Sequence, residues 1–213
     1  QDGPEVYATV FALAPSRTEP NTVWAGSDDG LVHVTRDGGK SWQRVTPPGL
    51  PVQTRISVIE SSPHTAGAAY VAAKRNQLGD RQPYLYKTTD YGATWTRIDA
   101  KLPRDEFTHV IREDSTRRGL LYAGTERGVW VSWDDGANWS SSRLNMPVTS
   151  VTDLKVEKND LVIASHGRGF WALENIAPLR QATPDAAQRP VHLFTPAGVY
   201  REAYPAQIDF LLG

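Results

Sequence analysis

Short apolar runs joined by turn-forming residues follow one another along most of the chain. In three places an apolar run leads through small residues and a polar pair or triplet to a glycine, and a second apolar run follows. These places are residues 22–34 (TVWAGSDDGLVHV), 120–131 (LLYAGTERGVWV) and 161–173 (LVIASHGRGFWAL). Two β-favouring stretches around a tight turn with a glycine are typical of a β-hairpin. The pattern therefore predicts a chain built from strands, with almost no helical periodicity.

A second pattern, [ST]-x-D-x-G-x-[STN]-W, occurs three times, with its aspartates separated by 53 and 44 residues. In a tight turn an aspartate accepts hydrogen bonds from backbone N–H groups that follow it, and hydroxyls add local bonds. Glycine takes a conformation that other residues resist. We expect each tryptophan to pack between sheets, so that the motif has a structural role. The motif residues are Thr35, Asp37, Gly39, Ser41 and Trp42, then Thr88, Asp90, Gly92, Thr94 and Trp95, then Ser132, Asp134, Gly136, Asn138 and Trp139.

The two patterns together divide the chain into similar units. Four predicted strands in units of about 40 to 50 residues are typical of β-propeller blades. The predicted fold class is all-β: about four propeller blades of four antiparallel strands each, in an incomplete propeller. The predicted blades span residues 6–53, 54–104, 105–149 and 150–174, and the last of them lacks a recognisable motif.

The number of blades has a physical consequence. An open arc of blades leaves two apolar blade faces in water, so we expect further blades or a second copy of the chain to close the ring. A closed ring of four blades is the alternative. Residues 175–213 are interpreted as a connector, with one possible helical turn, followed by strands that complete the last blade or begin a further domain.

Composition excludes several classes of function. The 213 residues are 39% hydrophobic with a net charge of −1, which suits a folded core and gives no basic patch for nucleic acid or an anionic membrane. No apolar stretch is long enough for membrane insertion. Without cysteine there is no disulfide or thiolate site. The histidines show no ligand spacing, so no metal or cofactor is expected; they are His33, His64, His109, His166 and His192.

The three motif copies resemble the Asp boxes, or bacterial neuraminidase (BNR) repeats, of sialidases, xyloglucanases, sortilin-type receptors and many secreted bacterial propellers. With RISVIESSPH, LLYAGTERGVWV and SHGRGFWALENIAPLRQ, roughly Thr9 to Leu173 is similar to the C-terminal part of the propeller in bacterial sortilin-like or "glycosyl hydrolase, BNR repeat" proteins. The resemblance implies an extracellular or periplasmic location. Sialidases also carry an Arg-Ile-Pro motif, which is absent here, so Arg55 and Arg97 are interpreted as strand-edge or loop arginines.

In that superfamily the Asp box lies on the face opposite the ligand site. The resemblance therefore places the turns between second and third strands, and the loops between blades, on the ligand face. The loop at residues 74–83 accounts for nine additional residues between the first two motif aspartates; it either confers specificity or packs on a neighbouring blade. The candidate ligand-binding residues are Asp28, Asp29, Lys74, Arg75, Asp80, Glu126, Arg127, His166 and Arg168.

Two functions remain open from the sequence. The first is a non-catalytic module that binds a peptide, protein or glycan on its loop face, and the sortilin-type resemblance favours a polypeptide. The second is part of a polysaccharide-degrading glycoside hydrolase, which needs two carboxylates about 5 to 10 Å apart across a cleft. Four carboxylates reach one face from different blades: Asp28, Asp29, Asp80 and Glu126. Blades one and three are not adjacent, and carboxylates in tight turns are more often solvated than paired for catalysis, so no catalytic residue is assigned.

Overall fold

The computed structural model describes residues 8–142, 145–183, 191–196 and 198. The described strands form four antiparallel sheets, each made of strands consecutive in sequence. The first two sheets are β1 (Val10–Pro15), β2 (Val23–Ser27), β3 (Val32–Thr35) and β4 (Gln43–Arg44), and β5 (Arg55–Ser61), β6 (Ala69–Arg75), β7 (Asp80–Thr88) and β8 (Thr96–Arg97). The other two are β9 (Thr108–Glu113), β10 (Leu121–Thr125), β11 (Gly128–Ser132) and β12 (Ser140–Ser141), and β13 (Val151–Glu157), β14 (Asp160–Ser165) and β15 (Phe170–Leu173).

These sheets are the predicted propeller blades, and we number them one to four. Blades one to three have four strands, and the described part of blade four has three. In blades one to three the outermost strand is only two residues long, because the preceding turn leads directly into a tryptophan and then into the connection to the next blade. The prediction of an all-β, incomplete propeller is confirmed.

The innermost strands β1, β5, β9 and β13 lie side by side, so that successive blades pack face to face. Three apolar clusters fill the three spaces between blades, and buried side chains such as Trp24, Ile111 and Leu154 contribute to them. Arg112 of β9 ties three blades together: its guanidinium donates to Glu60 at 3.0 Å, to Asp153 at 2.8 Å and to the Leu154 carbonyl at 2.7 Å. Among the described residues no comparable packing joins blade four back to blade one.

The outer faces of the first and last blades consequently keep apolar side chains in water. Leu13 of blade one is 65% exposed and Phe170 of blade four is 83% exposed. A strand that faced two neighbouring blades would bury such side chains, as β10 does at all five of its positions. In the described residues, the sheet stacking is that of an arc with two free faces.

The three motif segments form turns, which we call the repeat turns (residues 35–42, 88–95 and 132–139). In each, the first hydroxyl donates to the aspartate, at 2.8 to 2.9 Å, and accepts a hydrogen bond from the glycine N–H at 2.9 Å. The aspartate also accepts hydrogen bonds from the backbone and side chain of the residue four positions on. The three repeat turns therefore share one pattern of hydrogen bonds, and it is the pattern expected from the sequence.

The tryptophans of the repeat turns do not all behave as expected. Trp139 is buried between blades and Trp95 is partly buried, whereas Trp42 is 43% exposed. The expectation that Trp42 packs between sheets is wrong for the described chain, because no described blade lies against that face of blade one.

After blade four the chain forms one short helix, α1 (Ala177–Gln181), where the sequence suggested a helical turn. Arg180 of this helix pairs with the buried Asp114 of blade three at 2.9 Å. Residues 191–196 and 198 are not in a strand, and the rest of the strands predicted between 191 and 213 lies outside the described residues. No helix in the described part of the chain is long and apolar enough to cross a membrane.

Candidate functional site

The repeat turns and the predicted ligand face lie at opposite ends of the strands. Each repeat turn donates a backbone hydrogen bond to the turn between the first two strands of its own blade, for example from Tyr91 N to Gly67 O at 2.8 Å. At the other end, the turns between second and third strands bond to the connections between blades, as from Gln53 N to Asp29 O at 3.2 Å. We call this second end the loop face.

A groove of about 420 Å³ lies on the loop face between blades one and two. Its walls are Thr9 and Phe11, Asp28, Gln53, Arg55 and residues 74–78. The volume falls in the range of small-ligand sites, and the walls combine apolar and charged side chains. The groove lies where the long loop of blade two turns: Asn76–Leu78 form a single 3₁₀ turn, and Gly79 ends it with a φ of 77°. The surplus segment that the sequence predicts as a loop is mainly a longer hairpin, because Lys74 and Arg75 end β6 and Asp80 already begins β7.

Two cations on neighbouring strands line the groove. Arg55 of β5 and Lys74 of β6 are directly opposite in the antiparallel register. The Arg55 guanidinium carbon lies 4.2 Å from the centre of the Phe11 ring, a cation–π contact that fixes its plane. Its Nε is buried and has no hydrogen-bond partner among the described residues. Burial, and then the charge of Arg55, lower the pKa of the Lys74 ammonium group.

Lys74 is held by a histidine rather than by an acid. Its Nζ lies 2.9 Å from Nδ1 of His109, and Nε2 of His109 lies 2.9 Å from the hydroxyl of Ser150. Burial, followed by the charges of Lys74 and His166, lowers the pKa of His109 to about 4. The imidazole is therefore neutral near pH 7. Because an ammonium group can only donate, Nδ1 accepts from Lys74 and Nε2 carries the proton that it donates to Ser150.

The carboxylates predicted for the loop face already have partners within the chain. Asp28 accepts the backbone N–H groups of residues 8 and 9 at 3.0 and 2.9 Å, and Asp29 accepts the Ser27 hydroxyl. Asp80 accepts the Tyr84 hydroxyl at 2.6 Å and lies 3.8 Å from Arg75. These carboxylates shape the turns around the groove.

Two further predicted residues belong to the junction of blades two and three. Glu126 forms an ion pair with Arg81 from β7. Arg127 pairs with Asp105 at 3.0 Å and lies 3.9 Å from the buried Glu106. The first pair joins β7 of blade two to the turn between the second and third strands of blade three. The second pair holds that turn against the connection between the two blades, so that this part of the loop face is a structural contact.

The structure thus brings only some of the predicted residues together. Asp28, Lys74 and Arg75 line the groove, and Asp80 contacts it through Arg75. Asp29 and the predicted residues of blades three and four do not line it; these are Glu126, Arg127, His166 and Arg168. His166 and Arg168 are exposed in the described part of blade four. A ligand-binding role for any of these residues stays a prediction.

Sequence reasoning missed Phe11, Arg55 and His109. The interpretation of Arg55 as a strand-edge or loop arginine agrees with its position at the start of β5, but this strand start also opens onto the groove. The sequence feature that could have identified Arg55 as a groove residue is its position directly after a connection between blades, on the predicted ligand face. His109 gave no signal, because its partners Lys74 and Ser150 are distant in sequence. Among the described residues, no group of three or more His, Cys, Asp or Glu could hold a metal ion.

Comparison with curated proteins gives two relatives, and both are named as xyloglucanases. The chain is 29% identical over 104 residues to a probable oligoxyloglucan-reducing end-specific xyloglucanase of Neosartorya fischeri, which covers 48% of this chain and 13% of that protein. It is 25% identical over 163 residues to a xyloglucanase of a Paenibacillus species, covering 72% of this chain and 15% of the relative. The chain thus spans about one seventh of the length of these relatives. No family model matches the chain.

Solved structures show the same fold. YCF48, in a structure bound to D1 peptide, matches 80% of this chain and 53% of its own with a TM-score of 0.59 and 20% identity. The GH74 enzyme of Niastella koreensis matches 80% of this chain and 24% of its own, with a TM-score of 0.59 and 16% identity. The chain is therefore a β-propeller domain with sequence similarity to glycoside hydrolases.

Proposed function

We propose that this chain is an Asp-box propeller module, of the sortilin-like or BNR-repeat type, that binds a polypeptide segment in the groove on its loop face. The observation that carries the proposal is the groove itself. It combines the exposed apolar side chains of Phe11 and Leu78 with two cations, Arg55 and Lys74, that have no acidic partner in ion-pair range among the described residues. Such a surface can accept both the side chains and the charge of a peptide.

The repeat turns support the Asp-box assignment. The hydroxyl and then the backbone N–H of Ser41, followed by the Thr35 hydroxyl, lower the pKa of Asp37 to about 2. In Asp134 burial acts in the opposite direction, and the hydrogen bonds from Asn138 outweigh it, so that this pKa is also lowered. The aspartates are committed to their own turns, which supports placing ligand binding at the other end of the strands.

The groove suits a peptide better than a neutral glucan. Neutral sugars bind by stacking on exposed aromatic faces and by hydrogen bonds to uncommitted polar groups. One face of Phe11 is already covered by the Arg55 guanidinium. The two cations would gain little from a neutral ligand, whereas a peptide can bring an anionic group to them.

The second candidate is a role as part of a glycoside hydrolase. It is favoured by the two xyloglucanase relatives, and an extracellular or periplasmic location would suit both candidates. Against an acid–base pair within the groove, Asp28 is bound to backbone amides and Asp80 to Tyr84 and Arg75. In this second role the chain would supply a supporting surface for a cleft that other blades complete.

The test uses a soluble pool of random octapeptides with free carboxyl termini, captured by the immobilised protein and read by mass spectrometry. Leu78→Trp fills the groove without changing its charge. Ala93→Trp places the same side chain on the exposed repeat turn at the opposite end of blade two, and serves as the matched control. We expect enrichment of specific peptides on the parent protein and the control, and its loss on Leu78→Trp.

Peptides that bind the parent and Leu78→Trp equally would overturn the groove as the binding site. A second arm incubates the same proteins with xyloglucan oligosaccharides and measures new reducing ends. Turnover by the chain, combined with no peptide enrichment, would replace the binding proposal with the hydrolase.

A further inference from the structure

We propose that Arg55 and Lys74 form a carboxylate-binding site within the groove, and that His109 is the residue that positions Lys74 for it. The inference rests on the proposed function and names the chemical group of the ligand that the groove recognises. Three observations carry it: a like-charge pair across two strands, a buried donor without an acceptor, and a lysine held by a neutral ring.

The first observation is the register of β5 and β6. Arg55 and Lys74 are paired residues on neighbouring antiparallel strands, so that their side chains leave the sheet on the same side. Like charges in directly opposite positions destabilise a sheet. Neither has an acidic partner in ion-pair range among the described residues, whereas nearby Arg75 lies 3.8 Å from Asp80. An anion bound between the two cations would remove the repulsion.

The second observation is the Nε of Arg55. It is buried without a hydrogen-bond partner among the described residues, while the cation–π contact with Phe11 holds the guanidinium plane. A buried donor without an acceptor is costly and calls for an explanation. The guanidinium fork binds a carboxylate through two parallel N–H groups. Because Nε is buried, a ligand carboxylate in the plane of the guanidinium reaches it only when the side chains that cover it shift, and it would then supply the missing acceptor.

The third observation is the way in which Lys74 is held. Nδ1 of His109 accepts from the ammonium group at 2.9 Å, and the Ser150 hydroxyl fixes the other ring nitrogen at 2.9 Å. An aspartate in this place would cancel the charge of Lys74. A neutral imidazole orients the ammonium group and leaves its charge available to a ligand. His109 is therefore a positioning residue rather than a binding one.

The ligand carboxylate can come from a peptide C-terminus or from an Asp or Glu side chain. Both offer the same planar group, and the groove has apolar walls at Phe11 and Leu78 for a neighbouring side chain. The sources are separated with defined probes. Each enriched octapeptide is remade with an amidated C-terminus, and separately with its acidic side chains changed to amides.

The direct test is an NMR titration of the isotope-labelled full chain with sodium acetate, with sodium chloride at equal ionic strength as the control. We expect saturable shifts of the Arg55 Nε–H and of the Lys74 backbone N–H with acetate, and none with chloride or with neutral acetamide. Arg55→Gln and Lys74→Gln should each weaken acetate binding by about tenfold or more. Lys40→Gln removes an exposed cation from the first repeat turn and should leave acetate binding unchanged.

The role of His109 is tested by two variants. His109→Gln keeps an acceptor for Lys74 and a donor for Ser150, so it should retain acetate binding. His109→Leu removes both and should lose it. Thermal melting of both variants controls for stability, because a purely structural role would change melting without separating their acetate affinities.

The outcomes separate this inference from the proposed function. If acetate gives no saturable shift at Arg55, and the enriched peptides bind equally well after amidation and after neutralisation of their acidic residues, the carboxylate site is overturned while peptide binding in the groove survives. If acetate saturates Arg55 but no peptide is enriched, the anion site stands and the peptide proposal fails.

Discussion

The first repeat turn and the two that follow differ in their surroundings, although their internal hydrogen bonds are the same. The indole N–H of Trp95 donates to the Val45 carbonyl of blade one at 2.7 Å, and that of Trp139 donates to the Ile98 carbonyl of blade two at 2.7 Å. Trp42 has no described blade before it and is 43% exposed. A repeat turn therefore depends on its own sequence for its shape, and on the preceding blade for its contribution to the core.

The largest effect should come from the tryptophan that is most fully packed. Trp139→Ala removes a side chain that is 7% exposed, together with its hydrogen bond to Ile98 O, and should lower the free energy of unfolding by about 3 to 5 kcal/mol. Urea denaturation followed by circular dichroism measures this. Trp139→Phe keeps most of the ring and should recover part of the loss. A loss for Trp139→Ala below that of an average surface substitution would contradict the docking of blade three on blade two.

The glycines of the first and third repeat turns also differ in how closely the preceding blade approaches them. Gly39 and Gly136 both have positive φ, at 92° and 88°, but a Cβ on Gly136 would lie 2.8 Å from Cβ of Ile98 on the preceding blade. A Cβ on Gly39 would meet only the indole of Trp42, at 4.0 Å. Both alanine variants bear the cost of the left-handed backbone, about 1 kcal/mol, and only Gly136→Ala also crowds a neighbouring blade.

We therefore expect Gly136→Ala to lower the free energy of unfolding by about 2 to 4 kcal/mol, and Gly39→Ala by about 1 kcal/mol. The same urea titration measures both, and the difference between the two variants isolates the contact between blades. Equal losses would mean that the blades are not packed as closely as the glycines indicate.

These differences also show which part of the fold the sequence can predict. The spacing of Asp37, Asp90 and Asp134 predicts the blades, because each turn is held by bonds within eight residues. The burial of Trp42 could not be predicted in the same way. It depends on a neighbouring blade, and three similar motifs give no sign of which one has no such neighbour among the described residues.

The candidate site was predictable to a smaller extent. The surplus segment at residues 74–83 indicates where the groove lies and includes Lys74 and Arg75, although most of it is strand rather than loop. The chemistry of the groove depends on contacts across sequence separations of 35 and 41 residues, from Lys74 to His109 and from His109 to Ser150. A short sequence pattern cannot indicate such contacts, because the residues on the loop face differ from blade to blade and do not repeat as the turn motif does.

Stability should depend on pH differently at the two ends of the strands, through the aspartates of the repeat turns at one end and through His109 at the other. The repeat-turn aspartates have lowered pKa values, about 2 for Asp37, so their stabilisation is present above the unfolded-state pKa near 3.8 and is lost as the pH falls towards 2. His109 has a folded-state pKa of about 4 against 6.5 unfolded. Below pH 6.5 the unfolded chain takes up a proton that the folded ring resists, so this stabilisation is lost between pH 6.5 and 4.

His109 faces Lys74, Ser150 and Phe107, and the charge of His166 also acts on it. His109→Gln does not titrate, so the loss of stability between pH 6.5 and 4 should shrink by on the order of 1 to 2 kcal/mol, allowing for partial exposure. The loss below pH 4 should remain. Urea denaturation at a series of pH values measures both windows. An unchanged slope above pH 4 would show that His109 is not held neutral.

The smallest effect should come from Trp42. Because its indole is exposed and no described blade lies against it, Trp42→Ala should change the free energy of unfolding by no more than about 0.5 kcal/mol, against several for Trp139→Ala. The measurement is paired with light scattering, which reports whether the 23.5 kDa chain is a monomer at the concentration used. The expectation would be contradicted if Trp42→Ala lowered the free energy of unfolding as much as Trp139→Ala does. In that case we would look for a loss that grows with protein concentration and for a doubled mass in solution. Those results would mean that a second copy supplies the contact that Val45 and Ile98 provide to the other two turns.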